Sequence, residues 1–438
     1  MKHTDIIQKL NLEQKCALLS GETVFTTRAL PGKGIPAITL SDGPNGVRKQ
    51  AGAADHLGLN PSVPATCFPT SSATACSWDE KLGEAVGEAL GEEAAAQEVA
   101  VLLGPGLNVQ RSPLCGRDFE YFSEDPILAG RMAAAYVRGI QKNGISACPK
   151  HFAVNSQELR RMASDSVLDE RTLRELYLTG FEIVVKEAKP KTIMTSYNLI
   201  NGTYANENAH LLQDILRKDW GFDGAVVTDW GGSNDHALGV KNGSTLEMPC
   251  PGGDSIRELM KAVQAGKISE ADVDARLDEM LELVLSTHAA VEKAPRTFDA
   301  AAHHKLARRA AAESIVLLRN EGGILPLKPN EKLAVIGDFA ETPRYQGAGS
   351  SAVNALQVDT LLDSIKADDS GITFVGYASG FERQGAADAE KLEEAVALAK
   401  KADTVLLCLG LDELRESEGL DRADMKLAEN QQQLLAAV

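Results

Sequence analysis

Residues 225–230 read Ala-Val-Val-Thr-Asp-Trp, and this stretch decides the fold that we expect. Its apolar, β-branched residues predict a short buried strand, which ends at a carboxylate and an indole ring. Comparable apolar runs alternate with longer helical patterns from residue 37 to about 290. This alternation is typical of βα units and a parallel sheet. We therefore expect an α/β protein whose first part, residues 1–290, is a TIM-type (β/α)8 barrel or a partly collapsed one.

Fewer than eight strands can be recognised in this part, so the closure of the barrel stays open. The predicted strands are 37–40, 99–103, 145–148, 192–196, 225–228 and 245–248. The predicted helices are 79–97, 127–142 and 170–186, with an amphipathic helix over 1–19. These elements rest on helical spacing of apolar residues and on the residue types that favour each structure.

A second αβ pattern follows a change of composition. Residues 291–312, rich in Ala, Arg and His, are expected to link two domains. Strands at 314–318, 333–336 and 404–409 and a helix at 386–401 then predict an αβα sandwich over 313–438. The pattern stops inside a helix at Val438, so we expect an incomplete, truncated domain whose partner is the remaining C-terminal part of the same protein.

The composition disfavours several classes of function. The chain has 45 basic and 62 acidic residues and a net charge of -17, which repels nucleic acid and anionic membrane surfaces. No apolar run approaches the roughly 18 residues of a membrane-spanning helix. HExxH and CxxC spacings are lacking, as is a GxGxxG after a strand, so we expect no metal and no cofactor.

The cysteines and the paired histidines carry two further expectations. Seven cysteines, widely spread and mostly in apolar or Ala-rich segments, are typical of reduced thiols and predict a cytoplasmic protein. His303 and His304 are expected on a solvated helix surface. The sequence leaves the oligomeric state open, a homo-oligomer included.

Polar clusters follow nearly every predicted strand, where barrel enzymes carry their catalytic loops. The clusters are SDGP at 41–44, KHF at 150–152 with Arg161 beyond it, YN at 197–198 and DWGG at 229–232, and a charged loop spans 111–126. Three of them have a second interpretation. Asp229 would cap the following turn. Residues 150–161 would form a phosphate or carboxylate site, or contain a structural histidine with satisfied hydrogen bonds. The loop 111–126 would support a neighbouring segment through salt bridges.

Five motifs in order bring these clusters together. They are SDGPNGVR at 41–48, GRDFEYFSEDP at 116–126, KHFAVN at 150–155, TSYN at 195–198 and VVTDW at 226–230. The chain resembles glycoside hydrolase family 3 in this order, and IVLLRNEGGILPL at 315–327 is similar to the start of that family's second domain. The resemblance covers nearly the whole sequence.

The resemblance implies a role for each site residue. Asp229 would be the nucleophile, with Tyr197 close by to steady it through a hydrogen bond. Asp42 would bind the far hydroxyls of the terminal sugar. Further residues implied to bind the sugar hydroxyls are Arg117, Lys150, His151 and Arg161. Met194 and Trp230 would form apolar walls of the sugar site. Arg48 would support the site through an ion pair.

The proton donor of the family comes from the second domain, and the matching stretch is RESEGLDR at 415–422. Glu418 in its EGxDR pattern is the expected acid/base, and Glu416 is its rival. From composition alone this charge run would be a solvated acidic loop. The acid must keep its proton near neutral pH, so we expect burial or a neighbouring charge to raise its pKa.

The implied activity is that of a retaining, exo-acting β-glycosidase, most simply a β-glucosidase that acts on small β-glucosides or oligosaccharides. A β-xylosidase or arabinosidase of the same family is the first alternative. An N-acetylglucosaminidase is disfavoured because KHFAVNSQE at 150–158 stands in place of KHFPGHG. A non-catalytic carbohydrate-binding barrel is the alternative from another class.

Overall fold

Short parallel strands lie at the centre of the first part of the chain. The structure is a computed structural model that describes residues 1–52 and 60–438. Strands β1 (Leu40–Asp42), β2 (Val101–Leu103) and β3 (Ser146–Ala147) pair in parallel in that order, and β4 (Thr192–Met194) pairs in parallel with β5 (Ala225–Val227). Five of the six predicted strands are therefore present, each shorter than expected.

Isolated pairings extend this arrangement beyond the named strands. They are parallel for Phe152–Thr195, Val227–Leu246 and Ser20–Glu247, and antiparallel for Thr26–Thr39. The prediction of a strand at 245–248 is therefore wrong in extent, because this segment forms single bridges with its neighbours. The series of pairings runs from β1 through β5 and residue 246 back to residue 39, directly before β1.

Helices surround these strands. Their bounds are Thr4–Ile7 (α1), Leu12–Ala17 (α2), Ser71–Ala75 (α3), Glu80–Ala96 (α4), Pro126–Gln141 (α5), His210–Asp219 (α7), His236–Asn242 (α8), Asp254–Gln264 (α9) and Glu270–Lys293 (α10). Between α5 and α7 a helical segment, α6, joins Glu170–Thr172, Leu173–Leu178, Thr179–Ile183 and Val184–Ala188, in which ordinary and wider π-helical turns alternate. The single helix predicted over 1–19 is wrong: it is split where Asn11 caps α2 in a capping box with Gln14.

Local signals explain the starts of two predicted helices. The carboxylate of Asp79 accepts the N–H of Lys81 at the start of α4, and Asp125 accepts that of Ile127 at the start of α5, with Pro126 as the first helical residue. The two helices pack so closely that a Cβ on Gly87 would lie 2.4 Å from the carbonyl oxygen of Tyr136. Glycine is therefore required at this crossing.

A second parallel sheet forms the C-terminal part. Its strands are β6 (Lys332–Ile336), β7 (Thr373–Ala378) and β8 (Thr404–Leu407), in the order β7-β6-β8. Its helices are α12 (Leu361–Lys366), α13 (Ala389–Ala399) and α14 (Glu429–Ala437), and α11 (Ala300–Glu313) precedes the sheet. Val335 packs with Leu362 of α12 on one face, and Ile336 packs with Ala395 of α13 on the other. Helices therefore cover both faces.

Two expectations for this region are wrong. Residues 314–318 form no strand, and Ile315 and Leu318 are 80% and 91% exposed. An apolar, β-branched run becomes a strand only where another strand offers its edge, and none of the described strands pairs with this one. His303 is buried rather than solvated, because its ring lies between Glu92 and Glu93 of α4. None of the helices in the described residues is long and apolar enough to cross a membrane.

Candidate functional site

The predicted nucleophile lies two residues beyond β5, and the other strand-end residues converge on it. Asp229 is buried, and its Oδ1 accepts the N–H of Trp230 at 2.8 Å. Its Oδ2 lies 3.5 Å from Nε2 of His151, which comes from the segment after β3. The carboxyl ends of parallel strands meet at one edge of a sheet, which explains how residues 78 positions apart become neighbours.

Opposing influences act on the Asp229 carboxylate. Burial raises its pKa above the ordinary value, although the positive charges of Arg117, Lys150 and Arg161 oppose this shift. The negative charge of Glu418 also raises the pKa. Asp229 therefore lies within the influence of three cations and of a second carboxylate.

A buried network holds two of those cations in place. Nε and Nη2 of Arg117 each lie 2.8 Å from Oε2 of Glu120, and Nζ of Lys150 lies 3.2 Å from Oε1 of the same residue. Glu120 was not predicted, although it stands between Arg117 and Lys150 in the motif order. Nη1 of Arg117 is buried and makes no hydrogen bond among the described residues, although it lies 3.6 Å from Oε1 of Glu418.

His151 is held as a neutral ring. Burial, followed by the charges of Arg117 and Lys150, lowers its pKa well below the ordinary value. Its Nδ1 lies 3.2 Å from the hydroxyl of Tyr121. Its peptide is clamped by Asn108, which accepts the His151 N–H at 2.7 Å and donates to the His151 carbonyl oxygen at 2.9 Å. The contact of His151 with Asp229 is therefore that of a neutral imidazole.

Glu418 reaches the same group of cations from the C-terminal part. Its Oε1 lies 2.8 Å from Nη1 of Arg161 and 3.6 Å from Nη1 of Arg117, and its Oε2 accepts the N–H of Ser350 at 2.7 Å. Burial alone would raise the pKa of Glu418, but the two arginines and the N–H of Ser350 outweigh it and lower the pKa far below its usual range. The expectation of a raised pKa for this acid is therefore wrong for this arrangement.

Arg48 supports the loop that contacts Glu418. Its Nη1 donates to the carbonyl oxygens of Gly349 and Ser350 at 3.0 and 3.1 Å. Gly349 has a φ of +118°, and a Cβ on it would lie 2.4 Å from Cβ of Glu418. A side chain at position 349 would displace the glutamate.

Glu416 is directed elsewhere. Its Oε2 lies 2.8 Å from Nη1 of Arg344, and it lines a cavity of about 730 Å³ together with Asp118. Neither Asp229 nor Glu418 lines that cavity. The two candidate acids, two positions apart in sequence, therefore face different surroundings.

The aromatic side chains frame the site. The hydroxyl of Tyr197 donates to the carbonyl oxygen of Trp230 at 2.9 Å. It also lies within hydrogen-bonding reach of the Asp229 carboxylate, and burial together with this contact raises the pKa of Tyr197. The guanidinium of Arg161 lies 4.8 Å from the centre of the Tyr197 ring, a cation–π contact. Trp230 donates through Nε1 to the carbonyl oxygen of Val24, and Met194 is buried at the end of β4.

Asp42 ends β1 and completes the set of carboxylates. Burial raises its pKa to about 6, with Lys150 and Arg48 opposing the shift. Every predicted site residue except Glu416 thus lies in one region. In residues 1–52 and 60–438, His, Cys, Asp and Glu side chains form no group of three placed to hold a metal ion.

The site thus contains two carboxylates, which come from loops of different sheets and lie among buried cations. A pair of carboxylates is typical of a glycosidase. The chain belongs to glycosyl hydrolase family 3. Family models described as the "Glycosyl hydrolase family 3 N terminal domain" and "Glycosyl hydrolase family 3 C-terminal domain" match residues 53–283 and 315–438.

Individual relatives agree with this assignment. The chain is 45% identical over 436 residues to "Thermostable beta-glucosidase B" of Acetivibrio thermocellus, which covers 99% of this chain and 57% of that protein. It is 44% identical over 443 residues to "Exo-alpha-(1->6)-L-arabinopyranosidase" of Bifidobacterium longum, with 99% and 58% covered. The crystal structure of a family 3 β-glucosidase of Bifidobacterium adolescentis superposes with a TM-score of 0.90 at 41% identity and covers 99% of this chain and 62% of that one. The chain thus spans less than two thirds of the length of these proteins.

Proposed function

We propose that this chain carries the catalytic machinery of a retaining, exo-acting β-glucosidase that hydrolyses terminal, non-reducing β-D-glucosyl residues. The observation that carries the proposal is the buried Asp229 carboxylate, which lies 3.5 Å from His151 and within the influence of Arg117, Lys150 and Arg161. Both of these arginines also contact Glu418. The names of the relatives support a glycosidase that acts on small glycosides.

The reaction divides between two carboxyl groups. Asp229 attacks the anomeric carbon while Glu418 gives a proton to the leaving oxygen, and the bond between that carbon and oxygen breaks. A water molecule then gives its proton to Glu418 and attacks the anomeric carbon, which releases Asp229. Both displacements invert the anomeric centre, so the product keeps the configuration of the substrate.

The cations bind the sugar. Asp42 accepts its far hydroxyls, and Trp230 offers an apolar face. Lys150 and Nη1 of Arg117, which makes no hydrogen bond within the described residues, donate to other hydroxyls. Arg161 is shared between the sugar and Glu418. Because Arg161 and Arg117 lower the pKa of Glu418, proton donation requires that a bound sugar takes over part of their hydrogen bonding.

The fold proposal follows the strand pairings. We infer that residues 1–290 form a TIM-type barrel, since the pairings run in series and return from residue 246 to residue 39. Residues 291–312 act as the link and 313–438 as an αβα sandwich. A second copy of the chain is a proposed partner. A cytoplasmic location is proposed on the buried free thiols of Cys16 and Cys148.

Trapping of the covalent intermediate tests the proposal. With 2,4-dinitrophenyl 2-deoxy-2-fluoro-β-D-glucoside we expect one fluoroglucosyl group per chain, on the peptide that contains Asp229. Asp229→Ala should remain unlabelled and should lose turnover on the order of 10⁴-fold. A label on another carboxylate, or full activity of Asp229→Ala, would refute the assignment of the nucleophile.

Substrate preference is tested by comparing nitrophenyl β-glucoside, β-xyloside, α-L-arabinopyranoside and β-N-acetylglucosaminide. The arabinoside is included because a relative at 44% identity bears an arabinopyranosidase name. We expect the highest kcat/KM with the glucoside. A higher kcat/KM with a pentoside would favour the xylosidase or arabinosidase alternative, and binding without turnover of any substrate would favour a carbohydrate-binding barrel.

A further inference from the structure

The turn that carries Glu418 is held against two loops of the first part of the chain. Residues 417 and 420 form a tight antiparallel bridge around Glu418 and Gly419. On the side of the first part this turn meets residue 116 and residues 158–159. A Cβ on Gly116 would lie 1.7 Å from the carbonyl oxygen of Leu420, so the two backbones are in direct contact.

Asp421 supplies one half of the attachment. Its Oδ1 accepts the N–H of Glu158 at 2.9 Å and that of Gly116 at 3.2 Å, and its Oδ2 accepts the N–H of Leu159 at 2.9 Å and that of Glu158 at 3.1 Å. Both oxygens of one carboxylate are thus used by three peptide groups of the first part. Such charge-assisted bonds are stronger than neutral ones.

Glu158 supplies the other half in the reverse direction. Its buried Oε2 accepts the N–H of Gly419 at 2.9 Å and also receives Nη1 of Arg161 at 2.7 Å. The same Nη1 donates to Glu418 at 2.8 Å. Each segment therefore offers a carboxylate to the peptide groups of the other, and Glu158 also holds the arginine that contacts Glu418.

We propose that Asp421 and Glu158 form a reciprocal clasp that positions Glu418 for proton transfer. Neither residue contacts the reacting atoms, so both are positioning residues. The proposal rests on the β-glucosidase activity proposed above, and it adds the two residues that seat the acid/base on the barrel. Loss of the clasp loosens the turn that carries Glu418, so its carboxylate is positioned less accurately at the leaving oxygen.

The experiment uses Asp421→Asn, in which an NH2 group replaces one acceptor and faces peptide N–H donors. General acid catalysis matters for a poor leaving group and little for a good one. For methyl β-D-glucoside we expect kcat/KM to fall about 10²-fold, as for displacement of a catalytic group by about 1 Å. For 2,4-dinitrophenyl β-D-glucoside, whose phenolate leaves without a proton, kcat/KM should stay within about 3-fold of wild type.

Glu158→Gln serves as the second variant and should show the same dependence on the leaving group. Asp424→Asn is the matched control: it removes an exposed carboxylate three positions along the loop, which accepts the N–H of Lys426. It should leave both values unchanged. Thermal unfolding checks that the variants fold.

The outcomes separate the two proposals. Equal losses on both glucosides in Asp421→Asn and Glu158→Gln, or no loss on either, would overturn the clasp while the activity of the wild type stands. A wild-type chain that hydrolyses neither glucoside would contradict the proposed function, and the clasp with it.

Discussion

One guanidinium nitrogen of Arg161 is shared by two carboxylates: Nη1 lies 2.8 Å from Oε1 of Glu418 and 2.7 Å from Oε2 of Glu158. This arrangement keeps Glu418 ionised, because the positive charges beside it lower its pKa. A catalytic acid needs the opposite shift, so the proposed mechanism requires a bound sugar to weaken the contact between Arg161 and Glu418 before the proton is donated.

Arg161→Gln is expected to move the alkaline limb of the pH profile of kcat, which reports the pKa values of the enzyme–substrate complex, to higher pH. The variant removes a positive charge that lowers the pKa of Glu418, so the protonated acid persists to higher pH. The maximum of kcat/KM should fall about 10- to 100-fold because a charged hydrogen bond to the sugar is lost. Profiles between pH 4 and 9 measure both effects.

Arg160→Gln is the control for this change, since Arg160 is the exposed neighbour in sequence. Its profile should coincide with that of the wild type. An alkaline limb of Arg161→Gln that stays in place or moves to lower pH would contradict the electrostatic account.

Glu418→Ala and Glu416→Ala are expected to differ in kind. Glu418→Ala should lose about 10²- to 10⁴-fold in kcat/KM for methyl β-D-glucoside, and azide should restore turnover of 2,4-dinitrophenyl β-D-glucoside by replacing water as the nucleophile. Glu416→Ala should retain turnover, because its carboxylate pairs with Arg344 in another cavity. Azide-dependent rescue of Glu416→Ala in place of Glu418→Ala would reverse the assignment.

Residues at strand ends could be predicted because their signal is local. Asp42, Lys150, Tyr197 and Asp229 each follow an apolar run, and the structure brings all four to one edge of the strands. The starts of α4 and α5 were also predictable, since their caps are acidic residues directly before the helix. The strand predicted at 314–318 was wrong because its signal was also local. An apolar run does not reveal whether a partner strand exists.

Contacts between distant segments were not predictable. Asp421 and Glu158 are 263 positions apart, and neither residue carries a signal that names the other. Glu120 stood within a quoted motif, but its use by both Arg117 and Lys150 appears only in three dimensions. The pKa of Glu418 was expected to rise, whereas in the structure it is lowered. The two arginines that lower it come from other loops, so the sequence around Glu418 does not reveal them.

Asp42→Asn is expected to weaken sugar binding and to stabilise the fold above pH 6. The pKa of Asp42 is raised to about 6, above the value of about 3.9 in an unfolded chain. Its ionised form therefore costs folding free energy at pH above about 6, and this cost fades as the pH falls through 6 toward 4. The unfolding temperature should rise at pH 7.5 and remain unchanged at pH 4.

The ionised Asp42 carboxylate, which lowers the stability of the fold, should strengthen the binding of glucose. The ionised carboxylate accepts hydroxyls, so affinity measured by calorimetry should fall as the pH drops below about 6 and should be low at all pH values in Asp42→Asn. Asp369→Asn, at an exposed site, controls for the loss of one charge. Equal affinities of wild type and Asp42→Asn at pH 7.5 would remove Asp42 from the binding site.

His303→Gln tests the junction between α11 and α4. Nδ1 of His303 lies 2.7 Å from Oε1 of Glu93, and Nε2 lies 3.2 Å from Oε2 of Glu92. Burial lowers the pKa of His303, but the two carboxylates raise it more, so the folded value lies above the unfolded one. The stabilisation is then complete below the unfolded pKa of about 6.5 and is lost as the pH rises through the folded pKa.

We expect His303→Gln to lower the unfolding temperature by about 1–3 °C more at pH 5.5 than at pH 9.5. His288→Gln, at a partly exposed residue of α10 whose Nε2 lies 3.4 Å from Oε1 of Glu292, is the control for the loss of one imidazole. A pH-independent loss in His303→Gln would mean that packing against Phe298, and not charge, holds the junction.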